Sequence, residues 1–84
     1  MTIEDVFVVK GRGVVATGRV ESGTLRVGDD VNVNGGPAVR VGAIEAFRRP
    51  VTEAAVGDKV GVVFTDADKA MFHRGDVLSA PTVV

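Results

Sequence analysis

Cysteine is absent from this chain, so neither a disulfide nor a thiolate metal site can support its core. That argues against the secreted, disulfide-stapled class of small domains and fits a reducing cytoplasm. Aromatic residues are scarce at 5%, so branched aliphatic side chains must supply most of the buried area. Histidine occurs once, at His73 between Phe72 and Arg74, a setting that suits an exposed turn better than a base or a ligand. No apolar run approaches the roughly 20 residues that span a bilayer, and Met1 to Asp5 has neither the basic start nor the apolar centre of a signal peptide. A soluble, untargeted, cytoplasmic chain is expected. The formal net charge of −1 gives no global field for polyanions, so any nucleic-acid contact must be local.

Glycine is plentiful, but a phosphate-binding loop is missing. Such a loop needs Gly, four residues, then Gly-Lys-Ser/Thr, so that backbone amides cradle phosphate while the lysine and hydroxyl reach the terminal phosphate and magnesium. Neither Gly11-Arg12-Gly13 nor Thr17-Gly18-Arg19 provides it. The carboxylates Glu4, Asp5, Glu21, Asp29 and Asp30 are most simply solvated strand-end charges. A non-enzyme is expected, with no cofactor and no metal.

What is present points to β structure. A chain of 84 residues is one domain, 1–84, with a small core. Valine alone is roughly a fifth of it, and valine suits a pleated, half-buried surface better than a helix. The consecutive Val6, Phe7, Val8 and Val9 predict a strand covered on both faces. After Gly11-Arg12-Gly13, the even positions Val14, Ala16, Gly18 and Val20 form a core face, and Thr17, Arg19 and Glu21 an outward face behind Val15. Gly18 inside that strand predicts a bulge or a close backbone approach. Asn34-Gly35-Gly36-Pro37 predicts a hairpin. Beyond it Val39 and Val41 share a face, and strict alternation would send Glu45 into the core. A one-residue bulge near Gly42 is therefore expected, turning Ile44 and Ala46 inward and Glu45 and Phe47 outward. Asp66 to Arg74 is the one helix candidate, short enough for a 3₁₀ turn, with Thr65 and Asp68 resembling a capping box. Asp76 to Ala80, ended by Pro81, reads as a last strand. Gly28-Asp29, Gly57-Asp58 and Gly75-Asp76 each precede a strand and read as repeated turn chemistry rather than a calcium site. Short strands at regular intervals leave sandwich and barrel both open, with six or seven strands expected.

The blocks Ile3-Glu4-Asp5-Val6-Phe7, Gly11-Arg12-Gly13 with its following strand, and Ala43-Ile44-Glu45-Ala46-Phe47-Arg48-Arg49 closely resemble, in order and spacing, the second domain of bacterial elongation factor Tu. The resemblance runs from about Ile3 to Pro81, and related barrels occur in other translational GTPases. It implies a small closed antiparallel β-barrel. It also implies a role in translation elongation, with the aminoacyl-tRNA 3′ end, ribosomal RNA or a GTPase domain as partner, no membrane, and a monomer. In that family the glutamate matching Glu45 packs on the terminal adenosine, and the arginine matching Arg48 helps hold the acceptor end. The residues matching Glu4, Asp5 and Phe7 border the aminoacyl group. By the same resemblance Phe47, Arg49 and Lys59 join the implied site, and Val60 to Val63 continue its floor. Lys59 stands where the elongation factor commonly has asparagine, so a neutral amide becomes a cation that donates but cannot accept a hydrogen bond. Residue spacing alone leaves Glu45 to Arg49 open between a binding surface and an amphipathic strand end. The alternative is a structural or protein-interaction barrel, stand-alone or excised, with no RNA ligand of its own.

Overall fold

The structure, a computed structural model, describes residues 1–79 and is all-β. The strands are β1 (Thr2–Val9), β2 (Gly13–Arg19), β3 (Thr24–Arg26), β4 (Asp30–Val33), β5 (Ala38–Arg40), β6 (Ala43–Ala46), β7 (Arg49–Val51), β8 (Glu53–Ala55), β9 (Lys59–Phe64) and β10 (Leu78–Ser79). They form a five-stranded sheet ordered β1-β2-β9-β6-β7, a three-stranded sheet β10-β4-β5 and a two-stranded sheet β3-β8. Every ladder is antiparallel.

The expected closed barrel is corrected here: the ladders stay open as three sheets wrapped around one core. The cause is visible at Val41-Gly42. There the chain leaves β4, its partner through β5, and joins β9 through β6. Val41 N–H donates to Asp29 O and Gly42 N–H to Val63 O, so the corner is bonded to both sheets but belongs to neither. Corners of this kind divide the chain into more and shorter strands than the sequence spacing suggested. Between β1 and β10 the link is a single bridge, Thr2 to Val77, with isolated bonds such as Ile3 N–H to Asp76 O.

The phase change at Gly42 occurs, as this corner and not as a bulge. Val39 and Val41 are buried, then Ile44 is buried and Phe47 is exposed. The register shift in the β1–β2 ladder lies between Ile3 and Asp5, beside Gly18, which pairs with Ile3. A Cβ at Gly18 would stand 2.4 Å from Thr2 O, so the close approach expected from this glycine is real. Phe64, Ile44 and Val62 have no exposed surface, and the rings of Phe64 and Phe72 stack with centroids 4.7 Å apart. Fully burying a side chain of this size contributes about 1.5–3 kcal/mol.

β1 departs from expectation. It is an edge strand, with Phe7 and Val8 exposed and Val6 and Val9 half-buried. Phe7 lies on the sheet face away from the core, and Val8 borders an open groove beside Thr65 to Lys69. The helix candidate is a 3₁₀ turn at Lys69–Met71; its N-cap is Asp68, whose side chain accepts from Ala70 N–H, in place of the Thr65 capping box. Ala80 and Pro81 lie outside the described residues.

The turns follow the chemistry of their residues. Asn34 and Gly35 both take left-handed backbone, and Gly36 N–H closes the hairpin on Val33 O. The three Gly-Asp turns share one geometry. The aspartate N–H donates to the carbonyl three residues back (Arg26, Ala55 or His73), while the aspartate carboxylate accepts the N–H of that same residue at 2.9, 3.0 and 2.9 Å.

Two carboxylates give the stability a pH dependence. The Thr2 hydroxyl, then the Thr2 backbone N–H, hold the Glu21 carboxyl below its ordinary value of 4.5. The Asn34 side chain, and after it the His73 backbone and ring, hold Asp76 below 3.8. A lowered folded-state pKa gives a stabilisation that is complete above the unfolded value and is lost as pH falls through the folded one. The urea midpoint is therefore expected to drop as pH falls below about 4, and Glu21→Gln with Asp76→Asn should flatten that acid limb. An unchanged slope in the double variant would assign the acid limb to other groups.

Candidate nucleic-acid interface

The outer face of the five-stranded sheet gathers most of the residues singled out in the sequence. Cross-strand partners share a face, and one row across β1, β2, β9 and β6 is Phe7, Val15, Val63 and Ala43. The next row is Asp5, Thr17, Gly61 and Glu45, with Pro50 of β7 at its end. Val15 and Val63 are only 4% and 2% exposed although they stand outside the central core cluster. Gly61 leaves a gap in the second row, into which the Val15 and Thr17 side chains lean. The middle of the face is thus apolar, with carboxylates at both ends of the second row. At about 4.8 Å per strand, Glu45 lies roughly 14 Å from the β1 end.

At the β6–β7 turn the backbone is unusual. Ala46 pairs with Arg49, so the loop is the two residues Phe47 and Arg48, with φ of 53° and 64°. Such a turn needs left-handed backbone at both positions and favours Asn-Gly. A bulky side chain there is an outlier that costs stability. Phe47 is nevertheless 91% exposed, so burial offers it no return. Its ring and the Arg48 guanidinium are carried on this two-residue tip, two and three residues after Glu45.

Charges order the remaining residues. Arg12 Nη1 lies 2.7 Å from Glu45 Oε1. Lys59 Nζ is 3.5 Å from Glu4, and Arg74 donates to Glu4 O and approaches Asp5 at 4.0 Å. Glu4, Asp5, Phe7, Glu45 and Lys59 therefore border one surface, with Phe47 and Arg48 at its edge. Arg49 does not join them. Paired with Ala46, it lies on the hairpin face opposite Glu45 and lines a shallow concavity of about 530 Å³ with Val51, Glu53 and Asp58, which Phe47 also borders from the tip. Sequence reasoning missed Arg12 and Arg74 as members of this surface. Arg12 lay in the Gly-Arg-Gly turn, and nothing local says that it reaches a residue 33 positions away. Among the described residues no cluster of His, Asp or Glu could hold a metal ion. A partly open, mostly apolar cavity of about 80 Å³ sits elsewhere, between Val20, Leu25, Val31 and Leu78.

Residues 13–79 match the family model of elongation factor Tu domain 2. The chain belongs to that family. Solved structures carry the same domain inside far longer proteins. A bacterial selenocysteine-specific elongation factor, EF-Sec, is 28% identical with a TM-score of 0.86, over 95% of this chain and 14% of that one. The translation elongation factor SelB from Methanococcus maripaludis, in its apo form, is 33% identical with a TM-score of 0.84, over 95% of this chain and 18% of that one. This domain 2 thus spans less than a fifth of the length of either relative. Within it, the matched segment contains the β2, β9, β6 and β7 part of the sheet face, the Phe47-Arg48 tip and Lys59, while all of β1, with Glu4, Asp5 and Phe7, and Arg12 precede the match.

Proposed function

We propose that this domain 2 is a non-catalytic module of translation elongation that receives the 3′ acceptor end of an aminoacyl-tRNA on the outer face of its five-stranded sheet. Glu45, Phe47 and Arg48 meet the terminal nucleotide. Glu4, Asp5 and Phe7, with Lys59 beside them, border the aminoacyl group, and a GTPase domain supplies the opposite wall. The observation that carries this reading is the strained tip: two consecutive non-glycine residues are held in left-handed backbone, and the outcome is an aromatic ring presented to solvent next to Glu45. Strain of this kind clusters at ligand-contacting sites. The family and the relatives, both described as elongation factors, support the same direction.

One wall alone binds weakly. A stacked base is worth roughly 1–3 kcal/mol, and even a millimolar complex needs about 4 kcal/mol, so one or two arginine contacts must provide the rest. Titrating a short CCA-ended aminoacyl mimic into labelled protein should move the amides of Ala43–Arg49 and Ile3–Phe7 at millimolar ligand. Shifts confined to other regions, or none, would leave a structural module in its place.

A further inference from the structure

We propose that Arg12 is a positioning residue for Glu45: from the Gly11-Arg12-Gly13 turn its guanidinium reaches the outer face and fixes the carboxylate in the orientation that meets the acceptor end. This rests on the acceptor-end reading of the same surface and adds to it a residue from a separate part of the chain.

The Arg12–Glu45 contact, at 2.7 Å, is the shortest ion pair among the described residues. The Glu45 side chain is 30% exposed, against 50% or more for the carboxylates paired with Arg26, Arg40, Lys59 and Arg74. Its strand neighbour Gly61 has no side chain, and the Val15 and Thr17 methyl groups that lean into the gap offer the carboxylate no polar partner on that side. Arg12 provides the missing restraint. The backbone allows this because a Cβ at Gly13 would stand 2.5 Å from Phe64 O: the start of β2 presses onto β9, which brings the turn toward β6. The bond runs from one guanidinium nitrogen to Oε1, and among the described residues Oε2 accepts no hydrogen bond. Glu45 is therefore held by one oxygen and leaves the other for a ligand donor. An ion pair this exposed adds little to folding stability, so its consequence lies in where the carboxylate is held.

Two measurements decide the matter. In the free protein, Glu45 side-chain scalar couplings should report one rotamer in the wild type and averaging in Arg12→Ala, with partial recovery in Arg12→Lys, which keeps the charge but loses the planar fork. Averaging already in the wild type, or no change in Arg12→Ala, would overturn the proposal. In the titration with the CCA-ended mimic, Arg12→Ala should weaken binding about fivefold, within the range for directly contacting pairs, and should cost nothing further in a Glu45→Ala background. Equal losses in both backgrounds would show that Arg12 touches the ligand itself, and tighter binding by Arg12→Ala would make the pair a latch; either overturns positioning. Absence of binding by the wild type would reject the acceptor-end reading, while the couplings would still establish whether Arg12 holds Glu45.

Discussion

Replacing Phe47 with Asn and Arg48 with Gly is expected to make the protein more stable and, at the same time, to weaken the proposed binding of the acceptor end. Both residues have left-handed backbone, with φ of 53° and 64°. For ordinary L-residues this costs roughly 1–2 kcal/mol each, through the approach of Cβ to the following carbonyl oxygen. Asn tolerates the conformation and Gly carries no Cβ, although Gly returns about 0.5–1 kcal/mol through the larger entropy of its unfolded chain. The Phe47 ring is 91% exposed, so its removal uncovers no core. The net gain is about 1–2 kcal/mol, and each kcal/mol moves the thermal midpoint of a domain this size by roughly 4–8 °C. The same change removes one stacking surface, worth about 1–3 kcal/mol, and a guanidinium, so binding of the acceptor mimic should fall at least about tenfold. A midpoint that stays level or drops would mean that the wild-type turn is not strained. Retained binding would mean that the tip is not part of the interface.

The largest loss of stability is expected from alanine at Gly13. Its φ is +129°, and its Cβ would stand 2.5 Å from Phe64 O and 3.2 Å from the Thr65 Cα, both backbone positions that cannot swing aside. Overpacking costs about 1–3 kcal/mol and unfavourable backbone a further 1–3 kcal/mol, which together make a loss on the order of 3–4 kcal/mol. A chain of 84 residues has roughly 4–13 kcal/mol in total, so the variant should lose between about a quarter and nearly all of its stability. Two other glycines separate the causes. Gly18 has ordinary φ but would place Cβ 2.4 Å from Thr2 O, so Gly18→Ala reports steric overlap alone. Gly23 has φ of +69° with open space around it, so Gly23→Ala reports backbone strain alone. Urea unfolding should rank Gly13 as the most sensitive and Gly23 as the least. Equal losses at Gly13 and Gly23 would contradict the close approach of β2 to β9.

How much of this was legible in the sequence differs from element to element. The turn at Asn34-Gly35 and the three Gly-Asp turns were readable because their geometry is set within four residues. The change of phase between Val41 and Ile44 was readable as well, since a charged Glu45 could not follow Val39 and Val41 into an apolar core. What Gly42 does was not readable. Period-two alternation says which residues share a face but not which strand lies alongside, so a bulge within one ladder and a corner between two sheets look alike. The run Val6 to Val9 misled for the same reason: four apolar residues predict two covered faces, whereas β1 lies at an edge and leaves Phe7 and Val8 partly in solvent. In the candidate site, Glu45, Phe47 and Arg48 were adjacent and could be named together. Arg49 was counted with them until the pairing with Ala46 placed it on the other side of the hairpin. Arg12 needed the fold itself, since its partner is 33 positions away, with β2 to β5 between them.

The measurement that bears most directly on the proposed interface is a set of intermolecular NOEs from the terminal base protons of a CCA-ended aminoacyl mimic to this protein at saturating ligand. Contacts from the base to the Phe47 ring and the Glu45 methylenes, with contacts from the aminoacyl group to Phe7, are expected. Contacts confined to Arg49, Val51, Glu53 and Asp58, with none to Glu45 or Phe7, or no contacts at saturation, would contradict it.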